Sequence, residues 1–183
     1  MRRFAALTIL ALVLAACAED PAPGPATGPA TGPGEPQLDQ TRMGIYESLS
    51  RELVGAEKVE WKKIVIVSKL CANAGGAEGP KGCDDVLSAV EQDDLAQRLG
   101  DLGPPVTFVE DPTPLYDEAW MTGAPETIVL RLGTITDRGA GVEVGGSFGC
   151  GGLCGAGTTY LLEESGTTGD WEVTGTTGTA WIA

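Results

Sequence analysis

Four cysteines, Cys71, Cys83, Cys150 and Cys154, are the most reactive side chains in the C-terminal part of this 183-residue chain. Eleven residues separate the first two and three the last two, which does not match the paired short knuckles of a zinc ribbon. A thioredoxin-like centre needs Cys-x-x-Cys at a helix start, and the second pair is one residue too wide and sits among glycines. Outside the cytoplasm an even count is expected to close disulfides. Three pairings are possible. Cys71–Cys83 with Cys150–Cys154 is the expected one, because each pair is close in sequence and flanked by glycine. The first would staple Asn73–Gly82 at its base, contributing roughly 2–3 kcal/mol through loop closure. The second would pinch a turn between two strands.

Gly145-Gly146-Ser147-Phe148-Gly149 matches the Gly-x-Ser-x-Gly pattern of a hydrolase nucleophile elbow. The chain has no histidine, so no imidazole can accept a serine proton. A Ser–Lys dyad would require Lys69 or Lys81. The expected role of these glycines is to surround a turn. Glu110-Asp111 and Asp117-Glu118 could serve as a glycosidase pair, although adjacent carboxylates are common in so acidic a chain. Glu91, Asp93 and Asp94 fall in the first turns of an expected helix, where negative charge complements the dipole, and they lack the spacing of an EF-hand. No P-loop is present. The long connection Asp111–Pro125 carries Tyr116, Trp120 and Met121. Tyr116 and Trp120 are expected first to fold back as a lid on the sheet's edge; loops of this length with aromatics are also favoured places for ligands or partners, so these three form the candidate binding loop.

The elements that must position these residues follow from periodicity. Gln40–Lys58 reads as an amphipathic helix, with Ile45, Leu49 and Leu53 every fourth residue. Ile64-Val65-Ile66-Val67 is a β-branched run expected as a strand buried on both faces. Ser88 and Glu91 have capping-box spacing; Leu95, Leu99 and Leu102 then make one stripe, which Gly103-Pro104-Pro105 ends. Strands are expected at Val106–Glu110, Thr127–Thr136 (Ile128, Leu130 and Leu132 on one face), Val142–Val144, Thr158–Glu163 and Trp171–Val173. A last short one is expected at Ala180–Ile182. Short connections between consecutive strands favour an antiparallel meander. The predicted class is α+β: two or so helices on one face of a curved, mostly antiparallel sheet of five to seven strands. A tyrosine strand, a turn and Gly169-Asp170-Trp171-Glu172-Val173 over the last third of the chain resemble small envelope domains of cystatin-like or nuclear-transport-factor-like shape. That resemblance implies a shape and carries no functional residue across.

The N-terminus supplies an address. Met1-Arg2-Arg3 is a basic head, and Phe4–Ala16 is a run of about 13 apolar or small residues, the length of a signal h-region and short of the roughly 18–20 that span a bilayer. Leu14-Ala15-Ala16-Cys17 resembles the lipobox of bacterial lipoproteins. The resemblance implies cleavage before Cys17 and a diacylglyceryl group on its thiol, often with a further acyl chain on the new amine. Two or more chains suit stable anchoring. The paired arginines lack the rest of a twin-arginine motif, which favours the general secretory route. Ala18–Gln37 is almost entirely Pro, Gly, Ala and Thr. Pro25-Ala26-Thr27-Gly28 repeats once, and glycine recurs every fourth residue, so the collagen rule fails. Such a spacer is expected to be disordered and to reach at most ~60 Å. The expected organisation is a signal peptide at 1–16, a lipidated cysteine and linker at 17–37, and one globular domain at 38–183, close to the commonest domain size.

Charge excludes some partners. Twelve basic and 26 acidic residues give −14, and losing Arg2 and Arg3 with the signal leaves −16. Phosphate backbones and anionic headgroups are repelled by such a surface, so nucleic acid is not an expected partner. The expected partners are the bilayer, through Cys17, and an envelope protein or wall component. No cofactor is expected besides the covalent lipid, and no metal. Ala18 stands where an enteric inner-membrane retention signal would have aspartate, which favours the outer membrane in an organism that has one. The sequence thus points to a lipid-anchored, extracytoplasmic module that binds or supports without catalysing. An envelope hydrolase using carboxylates or a Ser–Lys pair, and a thiol–disulfide protein, are the alternatives.

Overall fold

Asp39 starts the first helix by accepting a hydrogen bond on its side chain from the Arg42 amide, 3.1 Å away. In this computed structural model, which describes residues 39–116, 126–166 and 170–183, helix α1 runs over Gln40–Gly55. The expected signal segment, Cys17, the expected linker, Asp117, Glu118, Trp120 and Met121 lie outside the described residues. The α1 helix ends three residues before the sequence-based limit of Lys58. The Trp61 indole donates to the Val54 carbonyl (3.1 Å), satisfying a last-turn acceptor as the chain turns away.

Strand β1 (Lys63–Val67) is followed by two short strands, β2 (Lys69–Leu70) and β3 (Asp85–Val86), that pair antiparallel on either side of the 71–83 loop. Helix α2 (Ala89–Arg98) opens on the capping box: Ser88 and Glu91 hydrogen-bond to each other's backbone amides, at 3.4 and 2.7 Å. It continues into a 3-10 turn at Gly100–Leu102, and Leu95 and Leu99 are fully buried. Then come β4 (Val106–Val109), β5 (Thr127–Asp137), β6 (Val142–Gly151), β7 (Cys154–Ser165) and β8 (Asp170–Ile182).

Six strands form one sheet in the order β4-β1-β5-β6-β7-β8. From β5 onward it is an antiparallel meander, as expected. The other edge differs: β1 is parallel to both of its neighbours, and β4 pairs with β1 rather than joining the meander. The connections explain this. A helix separates β1 from β4, long enough to return the chain to the starting end of the sheet. Residues 110–126 likewise join two strands that run the same way on either side of β1. With neighbours on both edges, β1 is buried along Ile64–Val67.

One sheet face carries the main core. Met43, Tyr46, Leu49 and Leu53 of α1 meet Ile64 and Ile66, then Ile128, Leu130, Leu132, Val144, Phe148 and Leu162, with Leu95 and Leu99 joining from α2. Each such side chain stabilises by about 1.5–3 kcal/mol on burial. The Tyr46 hydroxyl donates to the Gly133 carbonyl (3.0 Å), and burial pushes its pKa well above that of a free phenol. Arg42 bridges the helices. Its nitrogens stand 3.1 Å from carboxylate oxygens of Asp85 and Glu91, and both carboxylates favour its charged form. Its guanidinium also lies 5.7 Å from the Tyr46 ring centre.

Ser50 sits in this core with its hydroxyl buried and without a hydrogen-bond partner among the described residues. Ser50→Ala removes that stranded group and improves helix propensity, so it is expected to raise unfolding free energy by about 1 kcal/mol. A urea midpoint that falls in the variant would contradict this.

Candidate functional site

The opposite sheet face brings together three of the sequence-predicted features: Ser147, Tyr116 and the loop between Cys71 and Cys83. At its parallel end Val65, Val67 and Val129 form a small second core, capped by Val109, Leu115 and Tyr116. At its meander end the face is made of glycines. Register places Arg131 of β5 opposite Ser147 of β6, Ser147 opposite Gly157 of β7, and Gly157 opposite Trp181 of β8. One row across the sheet therefore reads cation, hydroxyl, gap, indole. The neighbouring row holds Val129, Gly149 and Gly155.

The 71–83 loop lies on this row. Cys71 and Cys83 are at disulfide distance, with Cα atoms 4.0 Å apart, and the β2–β3 pair flanks them. Asn73 organises the interior: its amide donates to the Gly79 carbonyl (2.8 Å), and its side-chain oxygen accepts from the Lys81 amide. Two bonds fix the loop to the sheet. The Ser147 hydroxyl donates to the Ala74 carbonyl (2.6 Å), and the Trp181 indole donates to the Gly75 carbonyl (3.0 Å). The approach is close enough that a Cβ on Gly157 would stand 2.7 Å from the Ser147 Cβ and 2.9 Å from the Gly75 oxygen. A Cβ on Gly145 would meet the Gly75 nitrogen at 3.0 Å.

This geometry corrects the expected role of Gly145–Gly149. The segment is not a turn but the interior of β6, and its outward-facing glycines let another backbone lie on the strand. Ser147 is 4 % exposed with its proton committed to a carbonyl, and β6 passes by a hairpin into β7, where a nucleophile elbow would enter a helix. Neither lysine of the possible dyad is directed to it: Lys69 pairs with Glu110 (3.6 Å) and Lys81 with Glu78 (2.6 Å).

The carboxylates are also occupied locally. Asp111 accepts from the Thr113 amide (2.9 Å), and hydrogen bonds from Thr113 hold its pKa below the usual carboxylate range. Glu91 serves the capping box, and Asp94 pairs with Arg98 at 2.6 Å. Asp93 is exposed on α2. Cys150 and Cys154 are at disulfide distance across the β6–β7 hairpin, with Cα atoms 5.1 Å apart and Leu153 exposed at the tip.

Of the candidate binding loop, Tyr116 is described. It packs on the second core and its hydroxyl accepts from the Arg131 guanidinium at 3.1 Å. The sequence reading passed over Arg131 and Trp181. Between them, under the stapled loop, lies a cavity of about 230 Å³ lined by Arg131, Tyr116, Val129, Gly149, Pro80 and Trp181, among others. Among the described residues, no cluster of three or more acidic or cysteine side chains could hold a metal ion, and no helix is long and apolar enough to cross a membrane. Comparison of the chain with protein-family models, with curated proteins and with solved structures finds no match.

Proposed function

We propose that this chain is a bacterial lipoprotein, tethered through Cys17 to the envelope membrane, whose exported domain binds or supports a partner and does not catalyse. The observation that carries the reading is the order of the N-terminal signals: basic head, apolar run, Leu14-Ala15-Ala16-Cys17, then a polar spacer. The domain supports it independently. All four of its cysteines fall into two pairs at disulfide distance, an arrangement suited to an oxidising compartment outside the cytoplasm. A binding role is supported by the absence of histidine from the sequence and by Ser147, whose hydroxyl serves to hold a loop. Ala18 after the lipidated cysteine favours the outer membrane where one exists.

Palmitate labelling of the wild type and of Cys17→Ser, followed by membrane fractionation, tests the anchor. The wild type is expected to take up label and sediment with membranes; Cys17→Ser is expected to lose the label and to enter the soluble extracytoplasmic fraction. An unlabelled wild-type protein, or a Cys17→Ser form just as firmly bound to membranes, would remove the proposal.

A further inference from the structure

Five arginines lie within residues 39–183, and four of them face carboxylates. Arg42 stands against Asp85 and Glu91, Arg51 against Glu47 and Asp101, Arg98 against Glu47 and Asp94, and Arg138 against Glu143. Arg131 is the exception among the described residues: it is partly buried on β5, and its hydrogen-bond partner is the uncharged Tyr116 hydroxyl. In a chain with 26 acidic residues, a partly buried guanidinium with no carboxylate in ion-pair contact among the described residues is conspicuous; Asp111 feels its charge without pairing with it. It has five N–H donors and spends one on Tyr116, which leaves a fork of the shape that matches a carboxylate. The fork opens into the 230 Å³ cavity beneath the stapled loop.

We propose that this cavity binds a carboxylate: Arg131 takes the charge, Tyr116 orients the guanidinium, and the rest of the ligand lies on the Val129–Gly149 floor toward the Trp181 indole. This deepens the binding-module reading above and does not depend on the lipid. Size and charge define the ligand. Pockets for drug-sized molecules run to roughly 300–1,000 Å³, so this one takes a single residue or an acid of that size. The field of a mature chain at −16, the charge left once Arg2 and Arg3 are lost, disfavours multiply charged anions such as phosphate, while one negative charge is neutralised by one arginine. Two sources present this chemistry, a free small carboxylic acid and the C-terminal residue of a peptide. The cavity's wall is fixed by the Ser147–Ala74 and Trp181–Gly75 hydrogen bonds, which leaves a preformed site.

Calorimetric titration of the membrane-extracted protein in detergent tests this, with N-acetyl-alanyl-alanine, its C-terminal amide, and propionate as probes. At least one of the two acids is expected to bind saturably. Binding by the peptide acid identifies a chain terminus as the source, and binding by propionate alone a free acid. The amide is expected to bind at least tenfold more weakly than its acid. Arg131→Gln is expected to weaken acid binding at least tenfold, and Arg138→Gln, which alters an exposed pair beside a hairpin turn, to leave it unchanged. No saturable binding by either acid would overturn the proposal, as would equal affinities for acid and amide or undiminished binding by Arg131→Gln. The acid–amide comparison uses the wild-type protein, so it decides the matter even where Arg131→Gln fails to fold. A protein that labels with palmitate but binds neither acid defeats this inference alone. One that binds an acid without lipid defeats the anchor alone.

Discussion

Gly75→Ala is expected to destabilise the domain by about 3 kcal/mol or more, the largest effect of any single methyl group added to the stapled loop. A Cβ at this position would overlap the Thr158 carbonyl of β7, which is backbone and part of a strand paired on both edges. No rotamer change can relieve such a clash. Either β7 shifts, disturbing the Gly157–Trp181 register, or the loop lifts. If the loop lifts, the Ser147 hydroxyl and the Trp181 indole lose their acceptors together, and each stranded polar group adds to the loss. Gly55→Ala is the matched control. A Cβ there meets nothing within 4 Å and Gly55 lies in the last turn of α1, so that variant is expected to hold or slightly gain stability. Urea unfolding of the two variants beside the wild type measures both. Equal midpoints for Gly75→Ala and the wild type would mean that the loop does not seat on the sheet as described.

The same glycines set the limit of what the sequence discloses. Ile128, Leu130 and Leu132 alternate openly and disclose their strand, because a helix packs on them and needs their bulk. Ser88 and Glu91 disclose a helix start because capping is a local matter. The strands β6 and β7 were expected at Val142–Val144 and Thr158–Glu163, yet they extend over Val142–Gly151 and Cys154–Ser165. Their missing halves are written in Gly, Ser and Ala, which ordinarily mark turns. Here they are strand residues reduced in size so that a backbone can lie on them, and the partner backbone is some 70 residues away in sequence. Likewise Ala180–Ile182, expected as a separate strand, is the end of a continuous β8.

The candidate site was partly legible for a related reason. Both cysteine pairs were readable from closeness in sequence and flanking glycine, and Tyr116 from the composition of its loop. Arg131 was not. On a strand that alternates apolar and polar, its outward position reads as an ordinary solvated charge. Only the sheet register, which sets Ser147, Gly157 and Trp181 in line with it, together with the loop that roofs them, makes that position a cavity wall. Local signals report local structure, and this site is assembled from five segments.

Replacing Cys71 and Cys83 together by serine is expected to lower stability by about 3 kcal/mol, from the loop-closure entropy of a 12-residue separation. The Cys150–Cys154 pair closes a much smaller loop, at a hairpin whose tip residue Leu153 is exposed while Cys150 is buried in the main core, and the loss of its loop closure is expected to lower stability by about 2 kcal/mol or less. Equal losses for the two pairs would contradict the loop-length argument. A combination with Gly75→Ala separates a staple that merely constrains the unfolded chain from one that seats the loop. Where Gly75→Ala has already lifted the loop, removing the staple frees the same residues in the folded and unfolded states, so much of the entropic difference cancels. The triple variant is therefore expected to be more stable than the sum of the separate losses predicts, by about 1 kcal/mol or more. Strict additivity in urea unfolding would show that the Cys71–Cys83 staple and the docking of Ala74 and Gly75 on the glycine face act independently, and the loop would then be a passive cover with no part in shaping the cavity under it.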